Sequence, residues 1–332
     1  MSTSEVMTNI NEMVHAWAQG MRRTPLPNGQ AAVEIDQANI AWAQRYGLVT
    51  DEVEVARARA IRVGELAASS FARERPELIQ LGADLVLWLF LFDDAVGEAP
   101  LEQPRRAHRL ALLSYERVVR SQRLPRSPSV LHVALRELVS RALALGGTRA
   151  WLARFAADVA DYHAGCADET DYRRHGQTPS LRQYRCLRAR TVGTAQVFAL
   201  LELGRCGLVS SADMSRPEVI AARELATLLT AWVNDIYSYP KELDSDDPLN
   251  LVHVLGAEGS LGINRALQCA VECYNSDLEQ LEQMAVSIEA SGCSRSLAGY
   301  LEGMLAWVHA NAAWTGRCGR YRSSVSRAEH PN

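Results

Sequence analysis

Apolar residues recur at three- and four-residue spacing through most of the chain, and runs that alternate like strands or concentrate Val, Ile and Thr are missing. The pattern predicts helices near residues 36–46, 51–70, 75–96, 102–122, 128–145, 149–167, 180–205, 216–241, 260–290 and 294–318. Pro25, Pro27, Pro125, Pro128, Pro179, Pro217 and Pro248 punctuate the joints. The fold class is therefore all-α. No internal repeat, low-complexity linker or shift in composition marks a second unit, so residues 1–332 are read as one large domain with flexible tails at 1–24 and 323–332. The charged segment 161–174 (Asp161, Asp168, Glu169, Asp171, Arg173, Arg174) reads as a solvated helix end and loop without chemistry.

Composition narrows the function classes. Hydrophobic residues at 48% and charged residues at 22% allow a packed core and argue against disorder and membrane spanning. A net charge of -4 provides no broad basic field, so neither nucleic acid nor an anionic membrane surface is an expected partner. The first twenty residues carry Glu5, Glu12 and His15 among apolar positions and lack the layout of a signal peptide, so a cytoplasmic location is expected. Seven scattered cysteines fit reduced core thiols better than a disulfide framework. Cys269 and Cys273 stand four apart, without the further ligands a zinc site needs.

Two acidic clusters carry the candidate chemistry. The first ends the greasy stretch 85–92 with Asp93-Asp94-x-x-x-Glu98. Asp94 and Glu98 share a helix face, with Asp93 beside them. Carboxylates held this close repel one another and are costly to desolvate without a cation, and hard oxygen ligands suit Mg²⁺. Taken alone, the cluster is also what a helix end emerging into solvent looks like. The second is Asn234-Asp235-x-x-Ser238-x-x-Lys241-Glu242. Steps of four residues turn a helix face by only about 40° and advance about 6 Å, so the Asn234 amide, the Ser238 hydroxyl and the Glu242 carboxylate form one stripe of oxygen donors. Pro240 interrupts that stripe, and a polar helix face ending in a charged turn is the plain alternative. Lys241 is the only lysine of the chain, a compact charge suited to phosphate.

In this order and spacing the two motifs resemble those of bacterial class I terpene synthases, with their aspartate-rich motif and mixed second metal triad. Two further stretches match. Arg188, 46 residues before Asn234 in Tyr184-x-x-x-Arg188-Ala-Arg190-Thr191-Val-Gly193, is similar to the family's diphosphate-sensing arginine ahead of a helix break. Trp314-x-x-x-x-x-Arg320-Tyr321 is similar to its terminal Arg-Tyr pair, and the likeness runs from roughly residue 25 to 322.

The resemblance implies a helical bundle around an active-site cavity and a lyase that ionises a linear prenyl diphosphate, farnesyl before geranylgeranyl, and cyclises the cation to a hydrocarbon or alcohol. Three Mg²⁺ ions, with Mn²⁺ as substitute, are implied at Asp93, Asp94, Glu98, Asn234, Ser238 and Glu242, with Asp93 ranked first in its motif. Arg188, Lys241, Arg320 and Tyr321 would bind the diphosphate. Leu89, Phe90, Phe198, Trp307 and Trp314 are the expected cavity residues, the aromatic ones able to stabilise a cation or simply to pack. Arg188, Asp93 and Phe90 would carry catalysis, and the carbonyl guiding ionisation would lie between Thr191 and Gly193. A homodimer is entertained. A chain-elongating prenyltransferase would need a second aspartate-rich motif, which Asn234, Ser238 and Glu242 do not provide. A non-catalytic helical binding protein would leave the acid clusters without a compensating ion.

Overall fold

The computed structural model describes residues 29–97, 105–242 and 247–321 with positions 10, 12–14 and 17, the side chains of 96, 97, 105–110, 241 and 321 excepted. Among the described residues all regular structure is helical. The first helices are α1 (Gly29–Arg45), α2 (Glu52–Ile61), α3 (Val63–Ser70) and α4 (Pro76–Gly97). Then come α5 (Arg105–Ser121), α6 (Val130–Ala144), α7 (Arg149–His175), α8 (Leu181–Thr191) and α9 (Thr194–Leu201). The last are α10 (Ser211–Met214), α11 (Pro217–Glu242), α12 (Leu251–Gly259), α13 (Ile263–Ala290), α14 (Arg295–Thr315) and a closing 3₁₀ turn, Gly319–Tyr321.

Helix α11 is buried almost all round over its middle (Leu225, Ala226, Leu228, Leu229, Ala231, Trp232, Val233), as expected for the central member of a bundle. It packs against α13 and α14, while α3 joins α1, α4 and α14. One hydrophobic cluster runs through these helices, with Trp88, Trp151, Trp232 and Trp314 among its largest buried members.

The span read as one helix over 51–70 is broken at Arg62, which adopts a left-handed conformation (φ 60°, ψ 45°) at a cost of roughly 1–2 kcal/mol. The indole of Trp314 compensates by donating to the carbonyls of Ile61 (2.9 Å) and Arg62 (3.0 Å). The span 180–205 is likewise two helices, parted at Gly193 (φ 76°). Helix α7 continues to His175, eight residues beyond the predicted end, closed by Gly176 in the left-handed region. Helix α12, started by the Asn250 side chain accepting from Val252 N, is too short for periodicity to announce.

The tail expected at 323–332 lies outside the described residues, as does most of 1–24. Three described positions of that first segment are packed: Ile10 and Val14 are buried and Trp17 rests on Tyr237 and Tyr274. None of the seven cysteines forms a disulfide, but only Cys166 and Cys318 are core thiols, and Cys186 is exposed. No described helix is long and apolar enough to cross a membrane.

Candidate active site

The C-terminal end of α4 forms the first wall. Val86, Leu89, Phe90 and Asp93 face a cavity of about 110 Å³, while Trp88 and Phe92 turn away into an aromatic cluster with Tyr115, Tyr162 and His163. Rings behind the helix thus fix the direction of the face in front. Arg320, from the closing 3₁₀ turn, stands on both aspartates: its guanidinium is 3.1 Å from Asp93 Oδ2 and 2.8 Å from Asp94 Oδ1. It also lies over the Phe90 ring at 5.0 Å. The Asp93 side chain is 56% exposed, yet the cavity mouth surrounds it; desolvation there raises its pKa, against the pull of Arg320.

Helix α11 forms the opposite wall. Its register turns Thr230 and Asn234 into the cavity and leaves Asp235 buried behind them. Arg188, from the last turn of α8, donates to Asn234 Oδ1 (3.1 Å) and Asp235 Oδ1 (2.8 Å) and lies 3.7 Å from Glu169 of α7. Asp235 is held from two other sides, by Tyr184 Oη (2.6 Å) and by Leu251 N (3.1 Å). Burial alone would push the Arg188 pKa down, but Asp235, Tyr184 and Glu169 outweigh it and hold the guanidinium firmly charged. Burial raises the pKa of Asp235, against the opposing pull of Arg188 and Tyr184.

Pro240 does not end the stripe, since α11 runs through it to Glu242. Asn250 donates to Glu242 Oε2 (2.9 Å) and to the Asp235 carbonyl (2.9 Å), so one amide ties the end of α11 to the start of α12. Burial raises the Glu242 pKa, with Asn250 opposing. The Ser238 hydroxyl donates weakly to the Asp235 carbonyl at 3.4 Å, leaving its oxygen lone pairs for another partner.

These are the donors a hard divalent cation takes: carboxylates from Asp93 and Asp94 on one wall, and amide, hydroxyl and carboxylate oxygens from Asn234, Ser238 and Glu242 on the other. Among the described residues no three His, Cys, Asp or Glu side chains converge, so any metal capacity rests on this mixed oxygen set. The residues fit magnesium better than zinc.

The family model for terpene synthase family 2, C-terminal metal binding, matches residues 84–280, more than half of the chain. This chain belongs to the terpene synthase family. It is similar to a (+)-T-muurolol synthase of Roseiflexus castenholzii, described as cyclising (2E,6E)-farnesyl diphosphate, with 29% identity over 86% of this chain and 88% of the relative. A 4-epi-cubebol synthase of Streptosporangium roseum with the same stated substrate is 26% identical over 96% of this chain and 98% of the relative. Its fold is similar to the crystal structure of the SVS_A2 protein from ancestral sequence reconstruction, with a TM-score of 0.80, 23% identity and 89% of each chain covered. The all-α bundle is thus the class I terpene synthase fold, and the chain is an enzyme of the carbon–oxygen lyase class.

In this synthase one cavity gathers Leu89, Phe90, Asp93, Arg188, Asn234, Trp307, Trp314 and Arg320, drawn from four helices and the closing turn. Asp94, Ser238 and Glu242 lie outside its lining. Glu98 is outside the described residues, and so are the side chains of Lys241 and Tyr321. Phe198 is a correction: it is fully buried and does not line the cavity, whereas its neighbour Val197 does. The helix break falls where Val192 and Gly193 both face the cavity, and a Cβ on Gly193 would come within 3.4 Å of Leu89.

The segment 161–174 is corrected as well. It is helical, and Glu169, only 8% exposed, approaches Arg188 and Arg173, while Arg173 reaches Asp247 (3.1 Å). Glu169, Asp235 and Tyr184 are the participants the sequence reading left without a role. Spacing held a signal for the first, since Tyr162, Cys166, Glu169 and Arg173 recur at four, three and four residues and share one helix face.

Proposed function

We propose that this synthase ionises farnesyl diphosphate and cyclises the resulting allylic cation, releasing diphosphate, with geranylgeranyl diphosphate as the second candidate substrate. The observation that carries this reading is the pairing of two oxygen-donor walls, each capped by an arginine, at the mouth of a cavity walled by Leu89, Phe90, Val197, Trp307 and Trp314. The relatives named for farnesyl diphosphate support the C15 chain length.

Asp93, Asp94, Asn234, Ser238 and Glu242 would hold magnesium, expected as three ions with manganese as a substitute. Magnesium bound there supplies positive charge to the diphosphate as the bond to C1 breaks. Arg188 and Arg320 would bind diphosphate oxygens, each able to present two parallel donors, with Lys241 and Tyr321 as further partners. Asp235 and Glu169 keep Arg188 charged and aimed at the mouth, so stabilisation is in place before charge develops. The apolar wall keeps bulk solvent from the cation, and Phe90 and Trp314, 5.9 Å apart, offer ring faces to it.

Incubating the purified protein with the C10, C15 and C20 diphosphates and Mg²⁺, followed by gas chromatography, tests the reading. Cyclic products from the C15 substrate are expected. Longer diphosphates would mean chain elongation, and unchanged substrates a non-catalytic bundle; either result overturns the proposal.

A further inference from the structure

Four threonines line the cavity, and three are committed to protein partners. Thr191 accepts from Arg188 (3.3 Å), Thr230 donates to the Ala226 carbonyl (3.2 Å) and accepts from Trp307 Nε1 (3.1 Å), and Thr315 donates to the Asn311 carbonyl (2.7 Å). Thr194 is 1% exposed, and its buried hydroxyl has no partner among the described residues. The cause is local. Thr170, Thr227, Thr230 and Thr315 donate to the carbonyl four residues earlier, the usual outlet for a helical threonine. Thr194 opens α9 just after the break at Gly193, so the residue four before it belongs to α8 and that outlet is lost.

A buried hydroxyl without a protein partner calls for a water or ligand atom to satisfy it. Gly193 abuts Leu89, which stands one helical turn, about 6 Å, inward from Asp93. The hydroxyl is thus on the hydrocarbon side of the diphosphate mouth. Asn311, 6% exposed, lines the same cavity and offers an amide oxygen. A confined water needs two or more polar partners: the Thr194 hydroxyl can donate to its oxygen and the Asn311 amide oxygen can accept one of its hydrogens, which leaves a lone pair for the cavity.

We infer that Thr194 is a specificity-determining residue that holds one water against the cyclised cation, so that this synthase makes an alcohol. The inference rests on the proposed ionisation of a prenyl diphosphate. The water oxygen gives an electron pair to the cationic carbon and forms the new C–O bond. The oxonium so formed passes one proton to an oxygen of the released diphosphate. Prenyl diphosphate and water are thereby converted to cyclic alcohol and protonated diphosphate, with no oxidant or reductant.

The test is to run the enzyme with farnesyl diphosphate and Mg²⁺ in H₂¹⁸O and measure the alcohol-to-hydrocarbon ratio by mass spectrometry. That ratio is internal to each reaction, so it does not depend on how much total activity a variant keeps. The native enzyme is expected to yield a ¹⁸O-labelled cyclic alcohol. Thr194→Val, which keeps the shape and loses the hydroxyl, is expected to lower the ratio about tenfold, the weight of one good hydrogen bond. Thr194→Ser, which keeps the hydroxyl, is expected to retain it. Hydrocarbon alone from the native enzyme, or an unchanged ratio in Thr194→Val, overturns the inference and leaves the parent reading standing. No consumption of any prenyl diphosphate overturns the parent reading and this one with it.

Discussion

Arg188 shows how two neighbouring residues of one motif take different tasks. Asn234 faces the cavity and Asp235 lies behind it, and the guanidinium bonds to both. Removing Asp235 leaves a buried cation short of its main partner, so Asp235→Ala is expected to lower unfolding free energy by about 3 kcal/mol in urea titrations. A loss under about 1 kcal/mol would mean that Glu169 suffices to hold the charge. Asn234→Ala and Glu242→Ala should behave in the opposite way, with helical content unchanged and turnover reduced about a hundredfold or more, because they act on developing charge. Undiminished product from either variant removes that residue from the site. Phe90, between Trp314 and Arg320, should change the product mixture on Phe90→Ala more than it changes substrate consumption, as judged by gas chromatography. Uniform loss with the same products would assign Phe90 to packing. Asp93, Arg188 and Asn234 were legible because their spacing is set by helix geometry and their chemistry by charge. Glu169 was not, since a carboxylate in a charged segment looks solvated until the helix carrying it is known to be packed.

Between residue and bundle, helix breaks decide what enters the cavity. Gly193 could be read as a break because glycine alone takes positive φ cheaply, although periodicity ran through it and gave one helix over 180–205. The break at Arg62 was masked in the sequence: the left-handed residue is itself an arginine, Gly64 two residues on serves a close approach to the Ala32 carbonyl, and the compensation comes from Trp314, some 250 residues away in sequence. Phe198 was misplaced for a related reason, since the break resets the rotation of α9 and turns Val197, not its neighbour, toward the cavity. The backing of α4 carries a prediction of its own. His163 is buried among Phe92, Tyr115 and Tyr162, near His132, and its ring makes only a weak approach to the Leu112 backbone. Burial lowers its pKa from 6.5 to about 3. The unfolded chain therefore binds this proton below pH 6.5 while the folded chain does not. The stabilisation is complete above pH 6.5 and drains away as pH falls toward 3. Between pH 7 and 5 this group alone should cost about 2 kcal/mol of unfolding free energy, and His163→Phe should remove that part of the slope. Parallel pH profiles for the two proteins would show that the ring is protonated in the fold.

At the scale of the whole molecule, the site is a meeting of distant segments. Asp93, Arg188, Asn234 and Arg320 belong to α4, α8, α11 and the closing turn, and they converge at one mouth only because α11 is the central helix around which the others pack. Arginines stand on Asp93, Asp94 and Asn234, so a bound diphosphate with its cations would exchange those contacts for new ones across the mouth. The sequence carried the donors and their order but not the size of the cavity, because volume depends on which side chains of several helices meet. The central claim is that the two oxygen-donor walls and their arginines form a clamp for metal and diphosphate. A crystal structure with Mg²⁺ and inorganic diphosphate tests it most directly. The account predicts magnesium ligated by Asp93 on one wall and by Asn234, Ser238 and Glu242 on the other, with Arg188 and Arg320 donating to diphosphate oxygens between them. Diphosphate bound elsewhere, or bound at the mouth with Asn234, Ser238 and Glu242 not ligating metal, would contradict it.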